Sequence, residues 1–226
     1  MPVPKAQHPM PFTRIELCVF TVKDGQLQVL LGRRSGPPFQ GAWALPGGVR
    51  RIDLDNGLQE AAQRISKERL DLNFEEMLQQ GAIGGPTRDP ERSQWALSIV
   101  YRTVAQADHL DPHAGKRLEE LKWVSADKAA TDKKLALDHH RIIKDAVTDL
   151  RNQVRNLEIP FAGISSPFTL GELQTYCQAL LNSPLDKASF RRRLDEKGVV
   201  TPLKGEFRGG ANRPAQLYQP KTGRTK

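Results

Sequence analysis

Leu45-Pro46-Gly47-Gly48, followed by the helix-forming run Leu58-Gln59-Glu60-Ala61-Ala62-Gln63-Arg64-Ile65-Ser66-Lys67-Glu68-Arg69, constrains this chain more than any other feature. Paired glycines let a backbone come close to a bound group, and a pyrophosphate is one that such loops accept. Alone, the run also describes an ordinary helix after a Pro-Gly-Gly turn, so its surroundings decide. Thr13–Val22 is rich in β-branched and aromatic residues and reads as a strand; Asp24-Gly25 reads as a hairpin turn and Leu27–Leu31 as the partner strand. Trp95–Ala105 is a strong strand and Leu121–Val124 another, while Leu137–Val154 alternates like an amphipathic helix.

That order of elements, with Phe39-Gln40-Gly41-Ala42-Trp43-Ala44 leading into the Pro-Gly-Gly turn, resembles the Nudix family over residues 12–150. The resemblance implies an α/β/α sandwich with a mixed sheet. It also implies a loop–helix–loop that grips pyrophosphates through glutamate-bound metal, in the pattern G-x5-E-x7-R-E-U-x-E-E-x-G-U. Here the Arg-Glu pair reads Arg64-Ile65 and the Glu-Glu pair reads Glu68-Arg69. Counting back from Arg64, the first family glutamate falls on Asn56, in a loop two residues longer than the pattern. Magnesium is usually held by carboxylates plus substrate phosphates, and Nudix hydrolysis needs clustered divalent ions. Ile65 supplies no ligand, and Arg69 puts a fixed positive charge where a metal would sit. The site reads as one that binds without cutting, with no catalytic residue and no metal site; Asp53 and Asp55 are near enough in sequence to substitute as ligands.

Arg88-Asp89-Pro90-Glu91-Arg92 resembles a segment of ADP-ribose-directed Nudix domains. Guanidinium groups pair bidentately with phosphate oxygens, which makes Arg88 and Arg92 candidate ligand contacts, although loop arginines are often merely solvated. Arg64 keeps its motif position. The candidate ADP-ribose residues are therefore Gly47, Gly48, Arg64, Glu68, Arg88, Arg92 and Trp43; Trp43 and Phe39 either pack an adenine or fill the core.

The end of the chain is a different object. Pro160, Gly163, Ser165, Ser166 and Pro167 punctuate a linker. From residue 160 to 226 there are five Lys and six Arg against five acidic residues, a net +6 of the chain's +8. Charge gathered in under a third of the chain points to nucleic acid or another acidic surface. Thr169 and Glu172 form a capping-box pair at the start of a helix over Leu170–Leu181, burying Leu170, Leu173, Cys177 and Leu180 or Leu181. After the Asn182-Ser183-Pro184-Leu185 turn, a second helix runs from near Asp186 to Lys197, with Gly198 as its stop.

Phe190 and Leu194 define the buried face of that second helix, so Ala188 and Arg192 point away from the core. A small residue beside an arginine on an outward face is suited to entering a major groove. Val199–Leu203 and Ala215–Gln219 can pair as a hairpin around a flexible basic tip, Lys204–Pro214, giving a winged helix. Its candidate DNA contacts are Lys187, Ala188, Ser189, Arg191, Arg192 and Arg193 on the helix, with Lys204, Arg208, Asn212 and Arg213 on the wing.

Phe168-Thr169-Leu170-Gly171-Glu172-Leu173-Gln174, Phe190-Arg191-Arg192-Arg193-Leu194 and Gly209-Gly210-Ala211-Asn212-Arg213-Pro214-Ala215-Gln216-Leu217-Tyr218 resemble the Nudix-related transcriptional regulators of the NrtR type, over nearly the whole chain. The resemblance implies a bacterial, cytoplasmic repressor of NAD synthesis and salvage genes. It implies a homodimer on palindromic double-stranded operator DNA, with ADP-ribose as effector and no required cofactor. Two readings compete. One is an active Nudix hydrolase cleaving ADP-ribose with ligands from Asp53, Asp55, Glu60 and Glu68; the other is a winged helix used for protein contacts.

The expected division is an N-terminal arm over 1–11, a ligand-sensing domain over 12–158 and a winged-helix domain over 159–226, a size suited to one medium and one small domain. Cys18 and Cys177 read as buried reduced thiols. The five histidines lack zinc spacing, and no window approaches the roughly 18 apolar residues of a membrane span.

Overall fold

The computed structural model describes residues 11–86, 88, 95–209 and 214–221. Most of the expected N-terminal arm, Asp89 to Arg92, and the wing residues Asn212 and Arg213 lie outside the described residues.

Strand β1 (Phe12–Lys23) turns at Asp24-Gly25, both at positive φ, into β2 (Gln26–Arg34). That is the backbone which an Asp-Gly hairpin supplies. Two short strands follow, β3 (Trp43–Ala44) and β4 (Gly47–Val49), then α1 (Leu58–Leu70), β5 (Leu78–Gly85), β6 (Ala96–Val104), β7 (Leu118–Ser125), α2 (Ala126–Ala129) and α3 (His139–Arg155). The sheet runs β3-β2-β1-β6-β5, with β4 also paired to β1 and β7 to β2; β1 and β6 are parallel, and the other pairings are antiparallel.

Period-two alternation along β1 builds both layers. Ile15, Leu17 and Val19 belong to the core with Ala61, Ala62 and Ile65 of α1. Cys18 and Phe20 belong to the opposite core, with Ile142, Ile143, Ala146, Val147 and Leu150 of α3. The result is an α/β/α sandwich about a mixed sheet, as the sequence resemblance implied. β5 carried no sequence signal: its glycines weaken strand propensity, and pairing to β6 alone holds it.

The remaining elements are β8 (Phe168–Thr169), α4 (Leu170–Leu181), α5 (Lys187–Lys197), β9 (Val200–Arg208) and β10 (Ala215–Pro220), with a three-stranded sheet in the order β8-β10-β9. The capping box at Thr169 and Glu172 is present; Asp186 caps α5, and Gly198 ends it at positive φ. This is a winged helix-turn-helix. Its wing differs from expectation: β9 continues five residues beyond Leu203, so the Lys204–Pro214 tip is shorter than foreseen. Arg208 pairs opposite Ala215, and the Gln216 amide donates to the Leu203 and Glu206 carbonyls, which ties the two strands together.

The linker is packed. Phe161 stacks on Phe168 at 5.8 Å, and the Tyr176 hydroxyl donates to the Pro160 carbonyl at 2.8 Å. One hydrophobic core therefore crosses the expected division after residue 158 without a break, joining Val147 and Leu150 to Phe168, Leu173, Leu180 and Phe190.

Candidate functional site

The Pro-Gly-Gly turn is held from three sides. Leu17 N–H donates to the Pro46 carbonyl at 2.9 Å, and Leu45 N–H donates to His139 Nδ1 at 2.8 Å. A Cβ on Gly47 would stand 1.9 Å from a carboxylate oxygen of Glu16, and one on Gly48 would stand 3.0 Å from Ile65. These glycines are thus required by packing against β1 and α1, whatever else approaches the loop.

On the α1 side, Arg64 forms a two-pronged pair with Asp55 at 2.7 and 2.8 Å, donates to the Val49 carbonyl at 3.0 Å and lies 3.4 Å from Glu68. The Asp55 side chain is almost fully buried. The Arg64 hydrogen bonds hold its carboxyl below the ordinary aspartate range, against the opposing effect of burial. Ile65 is buried. Half-buried Arg69 donates to the Gly47 carbonyl at 3.0 Å and to the Lys116 carbonyl.

These donors do not fit a divalent cation. Asn56 and Ile65 offer no carboxylate and Asp55 is committed to Arg64. Asp53 pairs with Arg51, Glu60 accepts from the Asn56 N–H, and Glu68 lies between Arg64 and Lys116. Among the described residues no three His, Cys, Asp or Glu side chains converge.

Across β1 lies an open cleft of about 680 Å³, lined in part by Phe39, Ile83, Gly85, Arg88, Asp138 and Arg141. Arg88 is fastened to Asp138 at 2.9 and 3.2 Å and to the Ser98 hydroxyl. Burial works to raise the Asp138 carboxyl, but Arg88 holds it below its ordinary value. Beneath sit groups that sequence reasoning missed. Glu16 is fully buried and takes Arg14 Nε at 2.9 Å; burial acts to raise it, and the positive charges of Arg14 and Arg88 work against that and hold it below its ordinary value. His139 is also fully buried, and burial depresses it to about 4. The missed signal was Arg14 and Glu16 two apart in an otherwise apolar strand.

The candidate ligand residues therefore separate. Gly47, Gly48, Arg64 and Glu68 cluster at the α1 groove, and Arg88 lines the cleft, with Glu16 and Ser98 between the two groups. Trp43 is half-buried beneath the Lys122 ammonium, 3.8 Å from its ring centroid, and packs against the core. Arg92 lies outside the described residues.

On α5, Phe190 and Leu194 are buried, while Lys187, Ala188, Arg191 and Arg192 are exposed. Ser189 is half-buried, its N–H capped by Asp186 at 2.8 Å. Arg193 turns back and donates to the Arg155 carbonyl at the end of α3. Lys204 is exposed on β9. Arg208 pairs with Glu172 of the capping box and donates to the Pro167 carbonyl at 2.9 Å, so it braces the wing against α4.

The family described as NUDIX domain matches residues 13–146, and the one described as NrtR DNA-binding winged helix domain matches residues 160–219. Over 95% of its length the chain is 33% identical to a protein of Acinetobacter baylyi named ADPR responsive transcriptional repressor NtrR, covering 84% of that protein. The crystal structure of Shewanella oneidensis NrtR complexed with a 27mer DNA superposes with a TM-score of 0.76 at 29% identity, over 92% of this chain and 93% of that one. The NUDIX domain of the same Shewanella protein, complexed with ADP ribose, gives a TM-score of 0.59 at 28% identity over 66% of this chain and 93% of that one.

Proposed function

The chain belongs to the NrtR family, a Nudix domain joined to a DNA-binding winged helix, and from that premise we propose that it is a transcriptional repressor which senses ADP-ribose. The observation that carries this reading is likeness along the whole chain, covering both the ligand-sensing and the DNA-binding halves of the Acinetobacter repressor. ADP-ribose is the effector, operator DNA of NAD synthesis and salvage genes the target, and the acting species a cytoplasmic homodimer on a palindromic site, whose two-fold symmetry matches its own.

The ligand stays intact. Ile65 and Arg69 occupy positions where hydrolysis would need carboxylates, and the remaining carboxylates are bound to arginine, lysine or backbone. The effector is held by the Gly47-Gly48 loop, Arg64 and Glu68 on one side and by Arg88 on the other, with Trp43 and Arg92, the latter outside the described residues, as the remaining proposed contacts. A conserving route to the DNA end exists. α3 starts beside Arg88 at Asp138 and spans about 25 Å. At its far end Arg151 donates to the Leu180 carbonyl at 3.1 Å, and Arg193 of α5 donates to the Arg155 carbonyl. ADP-ribose lowers operator affinity by binding better to the arrangement in which the two α5 helices no longer match the half-sites.

Fluorescence anisotropy of duplex DNA from upstream of NAD-synthesis genes, with and without ADP-ribose and with the ligand recovered afterwards, tests the proposal. Specific binding reversed by intact ADP-ribose supports it. No specific binding, with magnesium-dependent loss of ADP-ribose, means the chain is a hydrolase.

A further inference from the structure

Arg69 sits at the Pro-Gly-Gly turn, where the guanidinium groups of Arg14, Arg64 and Arg117 are near enough to act on its charge and burial works with them to disfavour it. Two are neutralised locally, Arg14 by Glu16 at 2.9 Å and Arg64 by Asp55 at 2.7 Å. Glu68, the remaining nearby carboxylate, lies 3.4 Å from Arg64 and 3.8 Å from the Lys116 ammonium. Arg69 is different: it is half-buried, and among the described residues it has no ion pair. Its hydrogen bonds go to the main-chain carbonyls of Gly47 and Lys116, which fix its direction, and the Glu68 carboxylate acts on its charge without forming an ion pair with it. Its third nitrogen lies 3.5 Å from where a Cβ on Gly48 would stand, so the edge not used in those bonds runs along the glycine loop.

A desolvated cation without a direct ion-pair partner is costly, and the cost is relieved when an anion arrives. We propose that Arg69 is the resident cation of a metal-independent diphosphate site on the Gly47-Gly48 loop, with its guanidinium taking the place of a divalent ion. The ligand class is the pyrophosphate of a nucleoside diphosphate derivative. Planar guanidinium suits this task because it offers two parallel N–H donors to adjacent phosphate oxygens. The inference rests on ADP-ribose being the effector, and it adds the means by which the diphosphate is held.

Isothermal titration of the full chain with ADP-ribose and, separately, with inorganic pyrophosphate, in EDTA and in magnesium, tests it. Wild type should bind both ligands in EDTA, with magnesium changing the ADP-ribose Kd by less than about threefold. R69M should weaken both by at least about tenfold, the loss of one charge-assisted hydrogen-bonded contact, and R69K should recover much of it. ADP-ribose binding that requires magnesium overturns the proposal, as does an R69M that binds like wild type. If R69M fails a thermal-melt check for folding, the wild-type comparison of EDTA with magnesium decides alone. Metal-free pyrophosphate binding lost in R69M, together with no ADP-ribose binding, upholds the anion site and refutes the effector.

Discussion

Leu180→Ala tests whether the two halves of the protein unfold as one. Leu180 lies on α4, is fully buried, and belongs to the same core cluster as Phe20, Val29, Ile143, Val147 and Leu150 on the Nudix side. Buried Leu→Ala changes cost about 2–5 kcal/mol, from lost transfer energy plus the cavity left behind. The value here should be about 3 kcal/mol, since neighbours on α3, α4 and α5 are themselves packed. For a chain of this size each kcal/mol moves the melting temperature by roughly 2–4 °C, so the shift should be about 6–12 °C. All three tryptophans, Trp43, Trp95 and Trp123, lie on the Nudix side. Tryptophan fluorescence therefore reports the half that the mutation does not touch, and far-UV circular dichroism reports both. If the core is continuous, the two transitions move down together. A fluorescence transition left at the wild-type temperature, with an earlier loss of helical signal, would refute the reasoning and leave ligand-to-DNA coupling without a packed route.

Two further outcomes follow from named contacts. Arg192→Ala removes an exposed guanidinium from α5, whose only ion pair among the described residues is the loose 3.8 Å contact to Glu196. It should weaken operator binding by about 1–3 kcal/mol per half-site in anisotropy titrations, with ADP-ribose affinity unchanged; loss of both would sink the division of labour. His139 is held neutral, with its pKa near 4 against about 6.5 when unfolded. The unfolded chain therefore takes up a proton that the folded chain refuses, and stability falls as pH drops from about 6.5 towards 4, by up to about 3 kcal/mol. Urea unfolding at pH 7 and pH 4.5 should show this fall in wild type and a flatter profile in His139→Gln; equal profiles would remove His139 as the cause.

Local chemistry made much of this protein legible in the sequence. The Asp24-Gly25 hairpin, the Thr169–Glu172 capping box, Gly198 at the end of α5 and the Phe190–Leu194 stripe are each decided within a few residues. That positions 65 and 69 carry no carboxylate is likewise read directly from the sequence. Tertiary structure alone decided the rest, because the partners are distant in the chain. β5 exists through pairing with β6, and Asp55 finds Arg64 across a loop. Glu16 meets His139 across 123 residues, and Arg208 leaves the wing surface for Glu172. The two halves share one core because α4 lays Leu173, Cys177 and Leu180 against the sheet and α3. A sequence states which groups carry charge or apolar surface; only the fold states which charges are paired, and among the described residues Arg69 forms no ion pair although Glu68 acts on it.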